Sequence, residues 1–433
     1  MAYQTRAALL AVLLLGAPQV EAADLGGNCC ADLEERIAEL EATTARKGNR
    51  KVSLTISGYV AQEVTWWDDG GESNVYLHGM GPTQATHVKL VGQAQISPGW
   101  TAGYTIRIQN LEDNPFSRNA ATGDAMNQFN DNFSTGLNTQ MSYWFIQSKD
   151  LGKLSMGRQA NAAKSVAMFT DQSGTQVIDN YTFLAGFPQF FVRSGGGLSN
   201  LTWGQFAFCY QQGVPLGGDC NGIVMNGVRY DTPTFAGFSA SASWGEDDFW
   251  EVALRYSGEF SGFKVALGAG YSVFTDEIVA GPLPVGTVKD SSFFQAGGYV
   301  QHIETGLFVH AAYGYEDNSD TRIGVAQIKP ENGQHWYVKA GIRKKWTALG
   351  ATVLYGDYAE YLDQIGPVAL GLGVTDSTFR RYGGGIAQEI DAAAMTVYLK
   401  YQHYDLDVGG TANLGFFDPD NMDLVSVGGL INF

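Results

Sequence analysis

The chain has 433 residues, a formal net charge of −17, 55 glycines and 12 prolines, and only 16% of its residues are charged. Abundant glycine and aromatic residues, a mean hydropathy of −0.11 and the lack of a long apolar segment after the N-terminus exclude a helical membrane protein and an ordinary soluble α/β enzyme. The scattered lysines and arginines form no basic stripe for nucleic acid.

The N-terminus has the pattern of a secretory signal. Arg6 precedes an apolar stretch at residues 7–17, and Val20-Glu21-Ala22 offers a small-residue cleavage site. The apolar stretch is about half as long as a membrane-spanning helix. We therefore predict that residues 1–22 are a signal peptide and that the mature chain is exported.

Residues 28–45 contain the single convincing helical pattern. Apolar and small residues follow a 3-4-3-4 spacing typical of a short coiled coil: Cys30, Leu33, Ile37, Leu40 and Thr44. We predict that residues 23–50 form a periplasmic coiled-coil and linker segment. A lone amphipathic helix or a disordered tether remains the alternative. If oxidised, the adjacent Cys29 and Cys30 would more naturally link chains than bond to each other.

From Lys51 onward, the sequence alternates between apolar and polar residues, and short turns alternate with long Gly- and Asp-rich connections. This pattern is typical of an outer-membrane barrel. The last segment alternates like the first one, so pairing of the two would close the sheet and cover its edges. We predict an all-β fold, a 16-stranded antiparallel transmembrane β-barrel over residues 51–433. The predicted strands are 52–66, 86–97, 100–110, 140–149, 153–159, 224–231, 238–246, 249–258, 263–275, 292–302, 307–317, 334–345, 350–359, 379–390, 395–406 and 424–433.

The apolar faces of these strands are expected to contact lipid. Alternation alone would also fit a soluble sandwich, but the aromatic residues gather near strand ends, as the interfacial girdles of a membrane barrel require. The polar faces then line a water-filled lumen, and nine basic side chains fall on them: Lys89, Arg107, Arg229, Arg255, Lys264, Lys339, Arg343, Arg381 and Lys400.

The longest connection, residues 160–223, is expected to have a function because structureless loops of this length are uncommon. We predict that its first part folds inward and narrows the pore, with Asp171 and Asp179 across from wall cations such as Arg107 and Arg229. The predicted constriction set is Asp171, Asp179, Lys89, Arg107, Arg229, Arg255 and Arg343. An outward surface lobe is the alternative. The opposed charges would set up a transverse field that favours dipolar solutes.

The second part of this connection contains Leu201–Tyr210, which alternates like a small hairpin arm. Cys209 and Cys220 flank a Gly- and Pro-rich segment and are a disulfide candidate in an exported chain. Two unpaired thiols are the alternative. No metal-ligand spacing or nucleophile motif accompanies the six dispersed histidines, so we predict no cofactor, no metal site and no enzymatic activity.

Several segments resemble the general porins of alphaproteobacteria. These are T-I-S-G-Y-V (55–60), V-R-Y-D-T-P-T-F-A-G-F (228–238), A-L-R-Y-S-G-E-F-S-G-F-K-V (253–265) and the terminal Phe433. The resemblance covers nearly all of the chain after residue 50. It implies a trimeric sixteen-stranded barrel, a constricting third loop with acids facing a basic wall, and passive diffusion of small hydrophilic solutes and ions. The N-terminal segment and the cysteine pair depart from the family pattern.

The sequence therefore predicts a multi-pass porin of the Gram-negative outer membrane, surrounded by lipid and lipopolysaccharide. Two alternatives remain open. A solute-selective channel would use an inward ladder of cations as a binding site. A structural anchor would tether the barrel to peptidoglycan through the N-terminal coil. The preference for anions or cations is left undecided, because basic wall residues oppose a strongly acidic net charge.

Overall fold

A computed structural model describes residues 52–81, 84–110, 136–181, 189–246, 248–276, 283–410 and 417–433. The signal peptide and the coiled-coil segment predicted for residues 1–50 lie outside these ranges. Among the described residues, no helix has the length and apolarity of a membrane span. In the unit that begins at Lys51, the regular secondary structure of the described residues is almost entirely β-strand.

Nineteen strands are found in the described part of the chain. They are β1 Ser53–Asp68, β2 Ser73–His78, β3 His87–Ser97, β4 Trp100–Asn110, β5 Leu137–Ser148, β6 Gly152–Gln159, β7 Phe191–Ser194, β8 Gly197–Thr202, β9 Met225–Asp231, β10 Phe238–Trp244, β11 Trp250–Phe260, β12 Phe263–Asp276, β13 Lys289–His302, β14 Leu307–Asp317, β15 Gly333–Thr347, β16 Gly350–Leu362, β17 Asp376–Ile390, β18 Met395–Gly409 and β19 Met422–Asn432. The helical elements of these same residues are one short α-helix, Pro367–Gly371, and the 3₁₀ turns Met168–Thr170, Trp203–Phe206 and Asp391–Ala393.

Seventeen strands belong to one closed antiparallel sheet. Since β2 and β3 pair with successive parts of β1, they occupy one position in the wall. The barrel therefore has the sixteen strand positions that the sequence predicts, and each predicted strand corresponds to one of them. β2 and the small hairpin of β7 and β8 were not predicted.

The last strand closes the barrel as predicted. β19 pairs with β1 over ten residue pairs, from Tyr59 with Asn432 to Asp68 with Asp423. The backbone of Phe433 also exchanges hydrogen bonds with Gly58 at 2.9 and 3.0 Å. These bonds leave neither terminal strand of the sheet with a free edge.

Candidate pore lumen

The strand register separates an apolar outer face from a polar inner face, because directly paired residues point to the same side of a sheet. On the outer face, Leu254, Val309 and Val427 are 52%, 50% and 56% exposed. On the inner face, Lys339 is paired with both His310 and Asp357. All nine cations that the sequence assigned to the lumen lie on the inner face by this register.

The first part of the connection between β6 and β9 is fixed to side chains of the inner wall. Three of its backbone N–H groups donate to wall side chains: Ala162 to Ser243 Oγ at 2.8 Å, Ala163 to Glu251 Oε2 at 2.8 Å and Ala167 to Gln295 Oε1 at 2.9 Å. These acceptors belong to β10, β11 and β13. Residues 160–181 therefore follow the inside of the wall, and the alternative of an outward lobe is wrong for this part.

Two glycines make room for the connection. Gly268 and Gly297 face each other on β12 and β13. A Cβ at Gly268 would lie 2.7 Å from the carbonyl oxygen of Val166, and one at Gly297 would lie 2.6 Å from that of Ala167. Any side chain at these positions would push the connection away from the wall, so the missing side chains form the groove in which residues 166–167 lie.

Asp171 is held by a lysine on β15. Lys339 Nζ donates to Asp171 Oδ2 at 2.9 Å, to Thr175 Oγ1 at 3.0 Å and to the Asp179 carbonyl oxygen at 2.6 Å. The side chains of Lys339 and Asp171 are 0% and 1% exposed. Burial alone would raise the pKa of Asp171, but the attraction of Lys339 and hydrogen bonding lower it below its ordinary value. The Asp171 carboxylate is therefore charged at neutral pH.

Asp179 is bound by groups from three further strands. It accepts hydrogen bonds from Tyr355 at 3.0 Å and from Gln402 at 2.9 Å. Arg381 lies 3.6 Å from it and 3.0 Å from Asp357. The residue before it, Ile178, accepts a hydrogen bond from Lys400 at 3.0 Å. This network fixes the far end of residues 160–181 against β16, β17 and β18.

These contacts correct the predicted arrangement of charges. Asp171 and Asp179 were predicted to lie opposite Arg107 and Arg229, but their cation partners are Lys339 and Arg381. The physical reason is burial, since carboxylates removed from water need cations and hydrogen-bond donors in direct contact. Both aspartates therefore anchor the connection. Their predicted role in narrowing the pore stays a prediction.

The other predicted constriction residues lie apart from these two aspartates. Arg229 binds Asp231 at 2.6 Å and the Ala160 carbonyl oxygen at 2.7 Å. Arg255 donates to Ser241 at 2.7 Å and to the Ala162 carbonyl oxygen at 2.5 Å. These two arginines therefore hold the beginning of the connection, while Arg343 pairs with Glu389 at 2.6 Å elsewhere on the wall.

Lys89 and Arg107 are the two predicted residues that the fold brings directly together. They are partners in the register of β3 and β4 on the inner face, and both are partly exposed. Arg107 Nη2 lies 3.1 Å from His87 Nδ1, and the ring of His87 packs edge-on against Tyr59 at 4.4 Å. Like charges directly opposite each other in a sheet are destabilising. Although this arrangement is unfavourable for the sheet, it concentrates positive charge at one site on the lumen wall.

The second part of the connection fills another region of the lumen with apolar side chains. Phe190, Trp203 and Phe206 are at most 2% exposed and belong to one cluster with side chains of the wall. Trp203 lies 5.5 Å from both Phe379 and Tyr404. The hairpin predicted at Leu201–Tyr210 is wrong, because the strands lie earlier, at β7 and β8. Trp203–Phe206 forms a 3₁₀ turn whose buried aromatics contact the wall.

Covalent and ionic contacts fix this second part. Cys209 and Cys220 form the predicted disulfide. Arg193 Nε donates to Asp69 Oδ1 at 2.9 Å, and this hydrogen bond is the main cause of the raised pKa of Arg193. No local sequence pattern indicates this ion pair, because 124 residues separate its partners.

A buried polar cluster joins the two parts. Lys164 Nζ donates to the carbonyl oxygen of Gly222, and Ser165 Oγ donates to Asp219 Oδ2 at 2.5 Å. Burial lowers the pKa of Lys164 to about 8 and raises the pKa of Asp219. Within the described ranges, no three His, Cys, Asp or Glu side chains are grouped as metal ligands.

Comparisons with known proteins agree with this architecture. A family model described as Gram-negative porin matches residues 8–416. Three solved structures with similar folds are an anion-selective porin from Comamonas acidovorans (16% identity, TM-score 0.54), the channel DcaP of Acinetobacter baumannii (10%, 0.52) and the trimer form of OmpT from Vibrio cholerae (11%, 0.50). They cover 88%, 90% and 88% of this chain and 100% of their own chains. No curated protein matches the sequence significantly.

Proposed function

This chain belongs to the Gram-negative porin family, and we propose that its pore favours small hydrophilic anions. It is a multi-pass protein of the outer membrane and forms a channel for passive diffusion. Family and fold indicate a channel rather than an enzyme. The anion preference is a further proposal beyond family and fold. It is supported by Lys89 and Arg107, two basic residues that are directly paired on the inner wall.

Most of the exposed charges of the neighbouring wall have the same sign. Among the described residues, the partly exposed basic side chains on the inner face of β3–β12 outnumber the acidic ones. The basic residues are Lys89, Arg107, Lys153, Arg229, Arg255 and Lys264, and the acidic ones are Asp231 and Glu259. A narrow passage lined by one sign of charge concentrates ions of the other sign, whatever the net charge of the chain. The similar fold from Comamonas acidovorans is described as anion-selective, which is a property of that protein.

Reversal potentials in planar bilayers test this proposal. Under a potassium chloride gradient, we expect the wild-type reversal potential to have the sign of an anion-preferring pore. The double variant Lys89→Gln and Arg107→Gln should shift it toward cation preference. Lys149→Gln, which removes an exposed charge in the turn before β6, is the matched control. A cation-preferring wild type, or an equal shift in the control, would contradict the proposal.

The solute-selective alternative makes a different prediction in the same apparatus. If the cationic wall binds one class of anion, the current carried by that anion should saturate with concentration, whereas a general diffusion pore should show a nearly linear increase. Chloride and a small organic carboxylate are suitable probes. Saturation with the carboxylate alone would favour the selective channel.

The barrel wall has a small height around β6 and β9, and this supports assembly into a homotrimer. The seven residues of β9, tilted by about 40°, rise roughly 18 Å, less than the roughly 25 Å apolar band of a barrel in lipid. Ser142, Arg158 and Asn226 are paired in register on the outer face of this wall, and all three are exposed. Such a short, polar wall fits against a second copy better than against lipid. The similar Vibrio cholerae fold is described in a trimer form.

Arg158→Leu distinguishes a subunit interface from a lipid contact. At an interface, the substitution should convert trimers to monomers, as seen by native mass spectrometry in detergent. Against lipid, removing the arginine should stabilise the barrel instead. Lys344→Leu, at an exposed position near the end of β15, is the control.

The tethering role rests on residues 23–50 and stays a prediction, as do the signal peptide and contacts with lipopolysaccharide. Retention of the full chain on purified peptidoglycan, and its loss on deletion of residues 24–50, would support the tether. Equal retention of both forms would refute it.

A further inference from the structure

The wall position shared by β2 and β3 is interrupted by a segment that leaves the wall. β2 pairs with β1 from Glu63 onward, and β3 pairs with it up to Tyr59. The eight residues 79–86 thus stand opposite only the three residues 60–62. Thr86 Oγ1 accepts from Ala61 N at 3.0 Å and donates to Ala61 O at 3.2 Å, so one side chain replaces the missing strand contacts.

The surplus residues point into the lumen. Met80 is 0% exposed, and its sulfur accepts a hydrogen bond from Tyr398 OH at 3.2 Å. Tyr398 lies on β18 with its side chain on the inner face, so this contact lies inside the barrel. Ile178 of the connection belongs to the same apolar cluster. The described residues of this interruption, 79–81 and 84–86, therefore form a second inward-folded element.

This second element meets the connection within the lumen. Gln84 Nε2 donates to Met168 Sδ at 3.6 Å, while the Gln84 carbonyl oxygen accepts from Tyr59 OH at 2.6 Å. Ala167, next to Met168, is bonded to Gln295 on β13. β3 and β13 are eight steps apart in both directions around the sixteen positions of the wall. The contacts from Gln295 through Ala167 and Met168 to Gln84 therefore cross the lumen between opposite walls.

This crossing separates two sides of the lumen, and the charged side chains on these sides differ in their exposure to solvent. Toward β14–β19 and β1, the inner charged groups beside the connection are buried and bonded to other groups: Glu63, His310, Lys339, Asp357, Arg381 and Lys400 are at most 8% exposed. Arg343 and Glu389, nearer the short turns at the ends of β15 and β17, are 34% and 20% exposed. Toward β3–β12, several basic side chains, including Lys89 and Arg107, remain partly exposed. Water and ions can be accommodated only where charged side chains keep contact with solvent.

We propose that the described residues 79–81 and 84–86, together with residues 160–181, divide the lumen, that only the side lined by β3–β12 conducts, and that Gln84 and Met168 form the edge of its aperture. These residues would then determine the size of solutes that pass. The inference rests on the channel function of the chain and not on the proposed anion preference.

Cysteine accessibility tests the division directly. In the full chain with Cys29→Ser and Cys30→Ser, single cysteines are introduced as Lys89→Cys on the conducting side and Ser426→Cys on the filled side. Ser426 is 3% exposed and lies on the inner face of β19. Cationic and anionic methanethiosulfonate reagents are added to open channels, so the outcome does not depend on charge preference. We expect loss of current for Lys89→Cys and an unchanged current for Ser426→Cys. Block of both variants, of neither, or of Ser426→Cys alone would overturn the division.

Single-channel conductance tests whether Gln84 and Met168 form the edge of the aperture. Gln84→Ala and Met168→Ala should each increase single-channel conductance and admit larger neutral polymers. Gln93→Ala, a truncation on the inner face of β3 away from the connection, should leave both unchanged. Heat modifiability on gels verifies that each barrel is folded. Folded variants with unchanged conductance and size limit would refute the role of Gln84 and Met168, even if the accessibility results support the division.

Discussion

Lys339 and Asp171 form a buried ion pair of 2.9 Å between the barrel wall and the connection that enters the lumen. The same ammonium group also binds Thr175 and the backbone of Asp179. A single lysine thus holds three points of residues 171–179 against β15. The position of this connection depends on the pair more than on any exposed contact.

Lys339→Met should lower the free energy of unfolding by about 3–5 kcal/mol, because it leaves the carboxylate of Asp171 buried without its cation. Folding in detergent, followed by tryptophan fluorescence across a urea series, measures the change. Adding Asp171→Asn should restore part of the lost stability. Lys345→Met breaks an exposed pair with Asp391 and should cost less than about 1 kcal/mol. Equal losses in Lys339→Met and Lys345→Met would argue against the anchoring role of the buried pair.

Lys164 should make stability depend on pH in the alkaline range. Burial lowers its pKa to about 8, whereas a lysine in an unfolded chain titrates near about 10.4. The folded chain therefore carries a penalty for the protonated lysine, fully present below pH 8 and relieved as the pH rises toward about 10.4. Relative to Lys164→Met, the wild type should gain about 3 kcal/mol over this window.

Urea unfolding at a series of pH values measures this difference. Lys149→Met, at an exposed position, should keep the wild-type slope. The same slope in Lys164→Met would show that another group causes the pH dependence.

The disulfide between Cys209 and Cys220 should stabilise the part of the connection that fills the lumen. Closing a loop with a sequence separation of 11 residues is worth about 3 kcal/mol in the chain-entropy model. The segment that it closes also carries Asp219, which binds Ser165 of the first part. The variant Cys209→Ser and Cys220→Ser should therefore unfold at lower urea and show a noisier current. A quiet channel of unchanged stability would contradict this expectation.

The sequence could predict the faces of the strands and the number of strand positions in the wall, because both follow from local patterns. Alternation with a period of two separates Leu254 from Arg255, and turn residues separate the strands. The ion pairs of the lumen could not be predicted in this way. Parity placed Lys339, Arg343 and Arg381 on the inner face, but only the path of the connection decides which of them reaches Asp171.

That path depends on packing at a distance in sequence. Gly268 and Gly297 allow residues 166–167 to lie close to the wall. In the sequence, however, they look like glycines that mark bends or bulges in strands. The inward residues 79–81 and 84–85 fell between the first two predicted strands, 52–66 and 86–97, where no inward fold was predicted. Its contacts with Tyr398 and Met168 join residues 318 and 84 positions apart, which no local pattern reveals.

Substitutions on the two faces of one strand test most directly which face of the barrel wall contacts lipid. Leu254 lies midway along β11, points outward and is 52% exposed. Leu254→Arg should cost about 2–4 kcal/mol in lipid vesicles, because the charge would lie near the middle of the hydrocarbon. Ser257 is on the inner face of the same strand and is exposed, so Ser257→Arg should cost much less. Urea unfolding from vesicles compares the two variants, and a larger loss for Ser257→Arg would mean that water contacts the face assigned here to lipid.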